Sequence, residues 1–134
     1  MLTDMRKRIV LLLTGLFVWL TFAFAQDVPV GVIVALKKGS PQELNRYLGE
    51  KVDLTILNKN VNADKAVAEG ELLSFFSSNP VKGFDVNHEG KRGESSFIVG
   101  TLRTGNGIFR VNCFFRRIQN KYYIHQIRID KTEL

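Results

Sequence analysis

Ser95-Ser96-Phe97-Ile98-Val99-Gly100-Thr101-Leu102-Arg103-Thr104-Gly105-Asn106-Gly107-Ile108-Phe109-Arg110-Val111-Asn112-Cys113-Phe114-Phe115 is the stretch that decides the fold class. Phe97, Val99 and Thr101 alternate with Ile98, Gly100 and Leu102, so this strand is apolar on both faces and belongs inside a sheet. Gly105-Asn106-Gly107 is a tight hairpin turn. Beyond it Phe109, Val111, Cys113 and Phe115 share one face, while Arg110, Asn112 and Arg116 take the other, with Phe114 as the exception. Upstream, Phe84, Val86 and His88 alternate with Asp85 and Asn87, and residues 89–93 form a charged, glycine-containing turn. Downstream, Asn120-Lys121 turns the chain, and Tyr123, His125, Ile127 and Ile129 face away from Tyr122, Gln126 and Arg128. Four strands in a meander follow from these readings.

The chain before this meander is mainly helical. Asp27-Val28-Pro29 opens a first helix that turns Ile33 and Leu36 to the core, with Val32 alongside. Lys37 and Lys38 suit its negative end, and Gly39 stops it. Ser40-Pro41-Gln42-Glu43 is a capping box for a short second helix carrying Leu44, Tyr47 and Leu48, with Gly49 as its stop. Residues 51–57 alternate as a half-buried strand: Val52, Leu54 and Ile56 oppose Asp53 and Thr55. After a turn at Asn58-Lys59-Asn60, Asn62 caps a third helix, with Asp64 near its positive end. Val67, Gly70, Leu73 and Phe76 form its stripe, widened by Leu72 and Phe75, and Asn79-Pro80 ends it. Helices gathered early and antiparallel strands gathered late mean an α+β domain: three helices packed on one face of a curved sheet.

Residues 1–25 have the form of a signal peptide. Arg6-Lys7-Arg8 is a basic opening, residues 9–24 are an apolar run, and Ala23-Phe24-Ala25 is the small-x-small pattern read by signal peptidase. Met5 offers a second start, because Met5-Arg6-Lys7-Arg8 already completes the basic region. The apolar run is shorter than the roughly 20 residues that span a bilayer. The reading is therefore export to the periplasm or beyond, cleavage before Gln26, no remaining membrane span, and one domain over residues 26–134. Of the formal net charge of +6, the leader carries +2, which leaves the mature domain mildly basic. The single cysteine, Cys113, has no partner for an internal disulfide and sits among apolar strand residues, where a thiol is inert.

The order of elements resembles the nuclear transport factor two-like superfamily, the cone-shaped α+β fold shared with ketosteroid isomerase and scytalone dehydratase. Within it the chain resembles an uncharacterised family of short exported bacterial proteins. The segments that carry this are Val32-Ile33-Val34-Ala35-Leu36-Lys37-Lys38-Gly39, Leu54-Thr55-Ile56-Leu57-Asn58-Lys59, Gly100-Thr101-Leu102-Arg103-Thr104 and Gly107-Ile108-Phe109-Arg110-Val111. The resemblance implies a pocket at the open end of the cone, and dimerisation through the outer sheet face is common in such folds. Its motifs are structural, and fold does not dictate activity.

No pair of candidate ligands has the spacing of a metal site, and no phosphate-loop, dinucleotide or nucleophile-elbow pattern is present. No cofactor is expected. Acid–base chemistry of the isomerase kind would need an acid or base and a hydroxyl donor in an apolar pocket. His125 is the candidate by parity, with Tyr47 as the candidate hydroxyl; the competing role for His125 is a core histidine held by hydrogen bonds. Asp53 and Asp85 fall on the polar parity. Tyr47, Phe76, Phe97, Tyr123 and His125 are the pocket candidates, for a small apolar ligand. Arg110, Arg116 and Arg128, with Phe114 among them, would form a ridge on the outer sheet face, either a solvated surface or an interface for an envelope protein or a second copy. Nucleic acid is not an expected partner, since no base-stacking aromatic pattern interleaves the basic residues. The expectation is a non-enzymatic ligand-binding or interaction domain, with a small isomerase or dehydratase using His125 as the alternative.

Overall fold

The computed structural model describes residues 28–132; the leader and the expected cleavage point before Gln26 lie outside the described residues. Helices α1 (Val28–Lys38) and α2 (Pro41–Asn45) come first, followed by strands β1 (Leu48–Ile56) and β2 (Lys59–Ala63). Helix α3 (Lys65–Ser78) then precedes β3 (Val81–Arg92), β4 (Ser95–Thr104), β5 (Gly107–Ile118) and β6 (Lys121–Lys131). The strands make one curved six-stranded sheet in the order β2-β1-β6-β5-β4-β3. All neighbours are antiparallel except β1 and β6.

Helix α1 is rich in β-branched residues and contains Gly31, a poor composition for an isolated helix. Its stability comes from burying Val32, Ala35 and Leu36 against the sheet. Gly39 ends it with φ +63°; Gly39 N–H donates to Leu36 C=O (3.1 Å) and Ser40 N–H to Ala35 C=O (3.0 Å), a Schellman pair. The Ser40 box is therefore half made. Ser40 Oγ accepts from Glu43 N–H at 3.2 Å, but the Ser40 N–H is already used, and the Glu43 carboxylate accepts from Lys38 Nζ instead. Helix α2 stops at Asn45, so Leu48 and Gly49 begin β1 rather than closing a helix.

The middle of the chain departs from the expected pattern at four points. Residues 59–63 form a strand, not a turn and cap. Leu57 (φ 49°) and Asn58 (φ 73°) make a two-residue reversal with both φ values positive, which matches strand twist and returns the chain along β1. The cap of α3 is Asp64, whose carboxylate accepts from Val67 N–H at 2.9 Å. The buried stripe of α3 is Ala68, Leu72, Phe75 and Phe76; Val67 and Leu73, expected inside, are 47% and 51% exposed. Beyond α3, β3 continues through residues 89–92, paired with β4, and the reversal is confined to Gly93 and Glu94.

The core lies between the helices and the sheet. Phe75 meets Phe109 edge-on at 5.1 Å and Phe76 at 5.5 Å. Phe109, Val111, Cys113 and Phe115 are all buried on the helix side of β5, as their alternation predicts. Burial pushes the Cys113 thiol up to about 12, so it stays protonated and unreactive.

Candidate functional site

Three irregularities decide which side chains reach the open end of the sheet. In β5–β6 the register slips between Phe114↔Gln126 and Phe115↔Ile124, leaving His125 as an extra residue in β6. A bulge of this kind inverts the alternation on one side of it. Ile127 and Ile129 face the core as expected, but on the other side of the bulge Ile124 is buried and Tyr122 packs against the core, in place of Tyr123 and His125. The expected interior position of His125 is thus corrected. His125 lies by Phe114, with ring centroids 6.5 Å apart. A second slip between Val86 and His88 likewise turns His88 outward, opposite Val99. The third, in β1–β6, opens a separate groove described below.

At the N-terminal end of α1 a cleft of about 460 Å³ lies between the helix and strands β3, β4 and β6. This volume is in the range of roughly 300–1,000 Å³ usual for small-molecule pockets. Pro29, Val30 and Ile33 line its helix side and Ile98 its sheet side; Phe97 also borders it, but alternation with Ile98 turns its ring to the other face of β4. Ser96, Glu89 and Lys91 supply its polar groups, and Tyr122 borders it with its hydroxyl shielded from solvent. The Tyr122 hydroxyl is buried and has no hydrogen-bond partner among the described residues. Lys91 Nζ stands 5.3 Å from the centre of the Tyr122 ring, a cation–π contact that holds the ring in place. Phe97 lies over Gly90 across the β3–β4 pair; a side chain at residue 90 would occupy the space of its ring.

Of the five expected pocket residues, only Phe97 borders the cleft. Tyr47 packs its hydroxyl against Gly31, on the flank of α1, where a methyl group on residue 31 would overlap it. Phe76 is in the filled end of the core, and Tyr123 and His125 line the other groove. The residue that sequence parity missed is Tyr122. The signal was available in Ile124-His125-Gln126-Ile127, where two polar residues between isoleucines break the period of two and mark a bulge. Among the described residues no three His, Cys, Asp or Glu side chains group as a metal site, and no helix is long and apolar enough to cross a membrane.

On the outer sheet face the arginine ridge is interrupted. Arg128 Nε donates to Asp130 at 2.9 Å, and Asp130 stands opposite Arg110 in the β5–β6 register. Arg116 is at the other end of β5, opposite Tyr123. Arg103 pairs with Asp85 at 3.1 Å. Such exposed pairs contribute little stability.

Partial burial, then the Arg116 guanidinium, hold the His125 imidazole below its ordinary 6.5, with Asp53 opposing them. The unfolded chain therefore takes up a proton near pH 6.5 that the folded chain resists. Stability is expected to fall as pH drops through 6.5, until His125 protonates in the folded state as well. The His125→Gln variant should show a flatter dependence over that interval in urea unfolding at stepped pH. An unchanged slope would assign it to other groups.

The sheet order and the three helices on one face define the class: this is a nuclear transport factor two-like α+β fold. An NTF-2-like protein of unknown function from Silicibacter pomeroyi shares the fold with a TM-score of 0.59 at 8% identity, over 84% of this chain and 96% of that one. The chain belongs to the DUF4783 family, a domain of unknown function, which matches residues 30–130. A family member from Bacteroides uniformis, of known crystal structure, is 63% identical with a TM-score of 0.78, covering 81% of this chain and 100% of its own. Another, from Bacteroides fragilis, is 70% identical with a TM-score of 0.75, covering 79% and 100%. No curated protein matches the sequence.

Proposed function

We propose that this domain is a non-enzymatic ligand-binding module of the cell envelope. It holds a small, mostly apolar molecule in the cleft at the start of α1, with a polar end against Tyr122. The observation that carries this reading is the buried Tyr122 hydroxyl, without a partner among the described residues, beside a cleft walled by Pro29, Val30, Ile33 and Ile98. A buried hydroxyl without a partner costs about 1–3 kcal/mol. A ligand that displaces what covers the hydroxyl and accepts its hydrogen bond recovers that cost, while the apolar wall takes up the ligand body. Lys91 and Glu89 at the rim suit a ligand whose exposed end is polar. The envelope location rests on the leader-like residues 1–25. His125 is outside the cleft, which leaves acid–base catalysis there without its candidate base.

Native mass spectrometry of the protein, expressed from its full sequence and purified gently from the envelope, tests this. The expected spectrum has an added mass that disappears on denaturation and is reduced in the Tyr122→Phe variant. Bare polypeptide in every preparation would sink the proposal.

A further inference from the structure

A second groove opens where β1 and β6 separate. Their pairing runs from Leu48↔Ile124 to Asp53↔Gln126, so β1 advances five residues while β6 advances two. The strands cannot remain paired over that interval, and a depression of about 570 Å³ lies beside it. It shares no lining residue with the α1 cleft. Glu50 and Lys51 enter from β1, Lys65 from the first turn of α3, Arg116 from β5, and Tyr123 and His125 from β6. Ile118 gives it an apolar wall.

The charge in this groove is unbalanced. The four ion pairs among the described residues use Lys38, Lys59, Arg103 and Arg128, and none uses Lys51, Lys65 or Arg116. Against these three cations the groove lining holds one carboxylate, Glu50. Asp53, which also acts on His125, accepts a hydrogen bond from Asn60 at 2.7 Å. Cations from three elements around one depression, beside a neutral imidazole and a phenol ring, form a set of donors that lacks an acceptor of matching charge.

We infer that this groove binds a small phosphate or sulfate monoester. The oxyanion lies among Arg116, Lys65 and Lys51, with His125 as a further donor, and the aromatic or sugar body rests on Tyr123 and Ile118. Guanidinium and ammonium groups suit such an anion because several of their N–H donors meet its several acceptor oxygens. A bound dianion also offsets the effect of Arg116 on His125, so binding draws a proton onto that ring.

The test uses residues 26–134, since the whole chains of the solved relatives align within about four fifths of this one and fold without more. Phenyl phosphate, with phenol as the uncharged control, is titrated into the labelled domain and followed by amide and His125 ring NMR. Saturable shifts at Lys51, Arg116, Tyr123 and His125, with a raised His125 midpoint, are expected. Arg116→Gln and Lys65→Gln should each weaken binding about fivefold or more, while Lys82→Gln on the distant edge strand β3 should leave it unchanged. Non-saturating shifts spread over all basic residues would overturn the inference. So would equal binding of phenol, or equal weakening by Lys82→Gln.

Discussion

Replacing Phe115 with alanine is expected to lower stability by about 4 kcal/mol, within the range for emptying a buried phenylalanine site. Phe115 is fully buried, on the helix side of β5. Its cross-strand neighbours are Ser96, which lines the cleft, and Ile124, which is itself 0% exposed. Its strand is paired on both sides, so the backbone around it has little freedom to collapse into the void. For a domain of this size the melting temperature should drop by about 20 °C. Because small domains hold only about 5–15 kcal/mol in total, the variant keeps little margin. Denaturant unfolding measures the loss directly; a value under about 1 kcal/mol would mean that the site repacks and that Phe115 is not central to the core.

The second large effect is expected from Gly100→Val. Gly100 is on β4 opposite Val86 of β3 and Val111 of β5. A β-carbon built there lies 2.7 Å from the Asp85 carbonyl oxygen and overlaps the tip of the Phe84 ring. The ring is buried at 3% exposure, and the carbonyl is part of a paired strand, so neither moves without disturbing β3–β4. Overpacking of this kind costs about 3 kcal/mol. Gly70→Ala is the useful control: nothing lies within 4 Å of a β-carbon there, and the residue is in mid-helix, where alanine is favoured. Gly70→Ala should be neutral or stabilising. Equal losses from both variants would show that backbone propensity, not the Phe84 and Asp85 contacts, sets the penalty at Gly100.

The parts of this fold that were legible in the sequence are those in which one rule acts alone. Strict alternation gave the buried face of β5, and Gly39 after two lysines gave the end of α1. The illegible parts are those in which a neighbour overrides the local pattern. Strand β2 is short and mostly polar, with only Val61 and Ala63 turned inward, and it exists because β1 supplies its partner. Its turn uses Leu57 and Asn58 at positive φ, without the glycine that usually marks such a reversal. The stripe of α3 was misplaced because Ala68 gives a weaker apolar signal than Val67 or Leu73, although Ala68 is the one that fits under the sheet. The site was the least legible part. One inserted residue, His125, exchanges Tyr122 for Tyr123 at the mouth of the cone, and strict alternation cannot anticipate that exchange.

A Tyr122 hydroxyl that pairs with a ligand gives the Tyr122→Phe variant stability effects of opposite sign with and without that ligand. Protein stripped of any ligand by unfolding and refolding is compared with protein purified gently, for wild type and Tyr122→Phe, by thermal unfolding. In stripped protein the variant removes an unpaired buried hydroxyl and should be more stable by about 1 kcal/mol, a rise of about 5 °C. In gently purified protein the wild type should regain or exceed that difference, because it alone offers the ligand a hydrogen bond. A Tyr122→Phe variant that is less stable in both preparations by the same amount would contradict the account, since the hydroxyl would then already be satisfied within the fold.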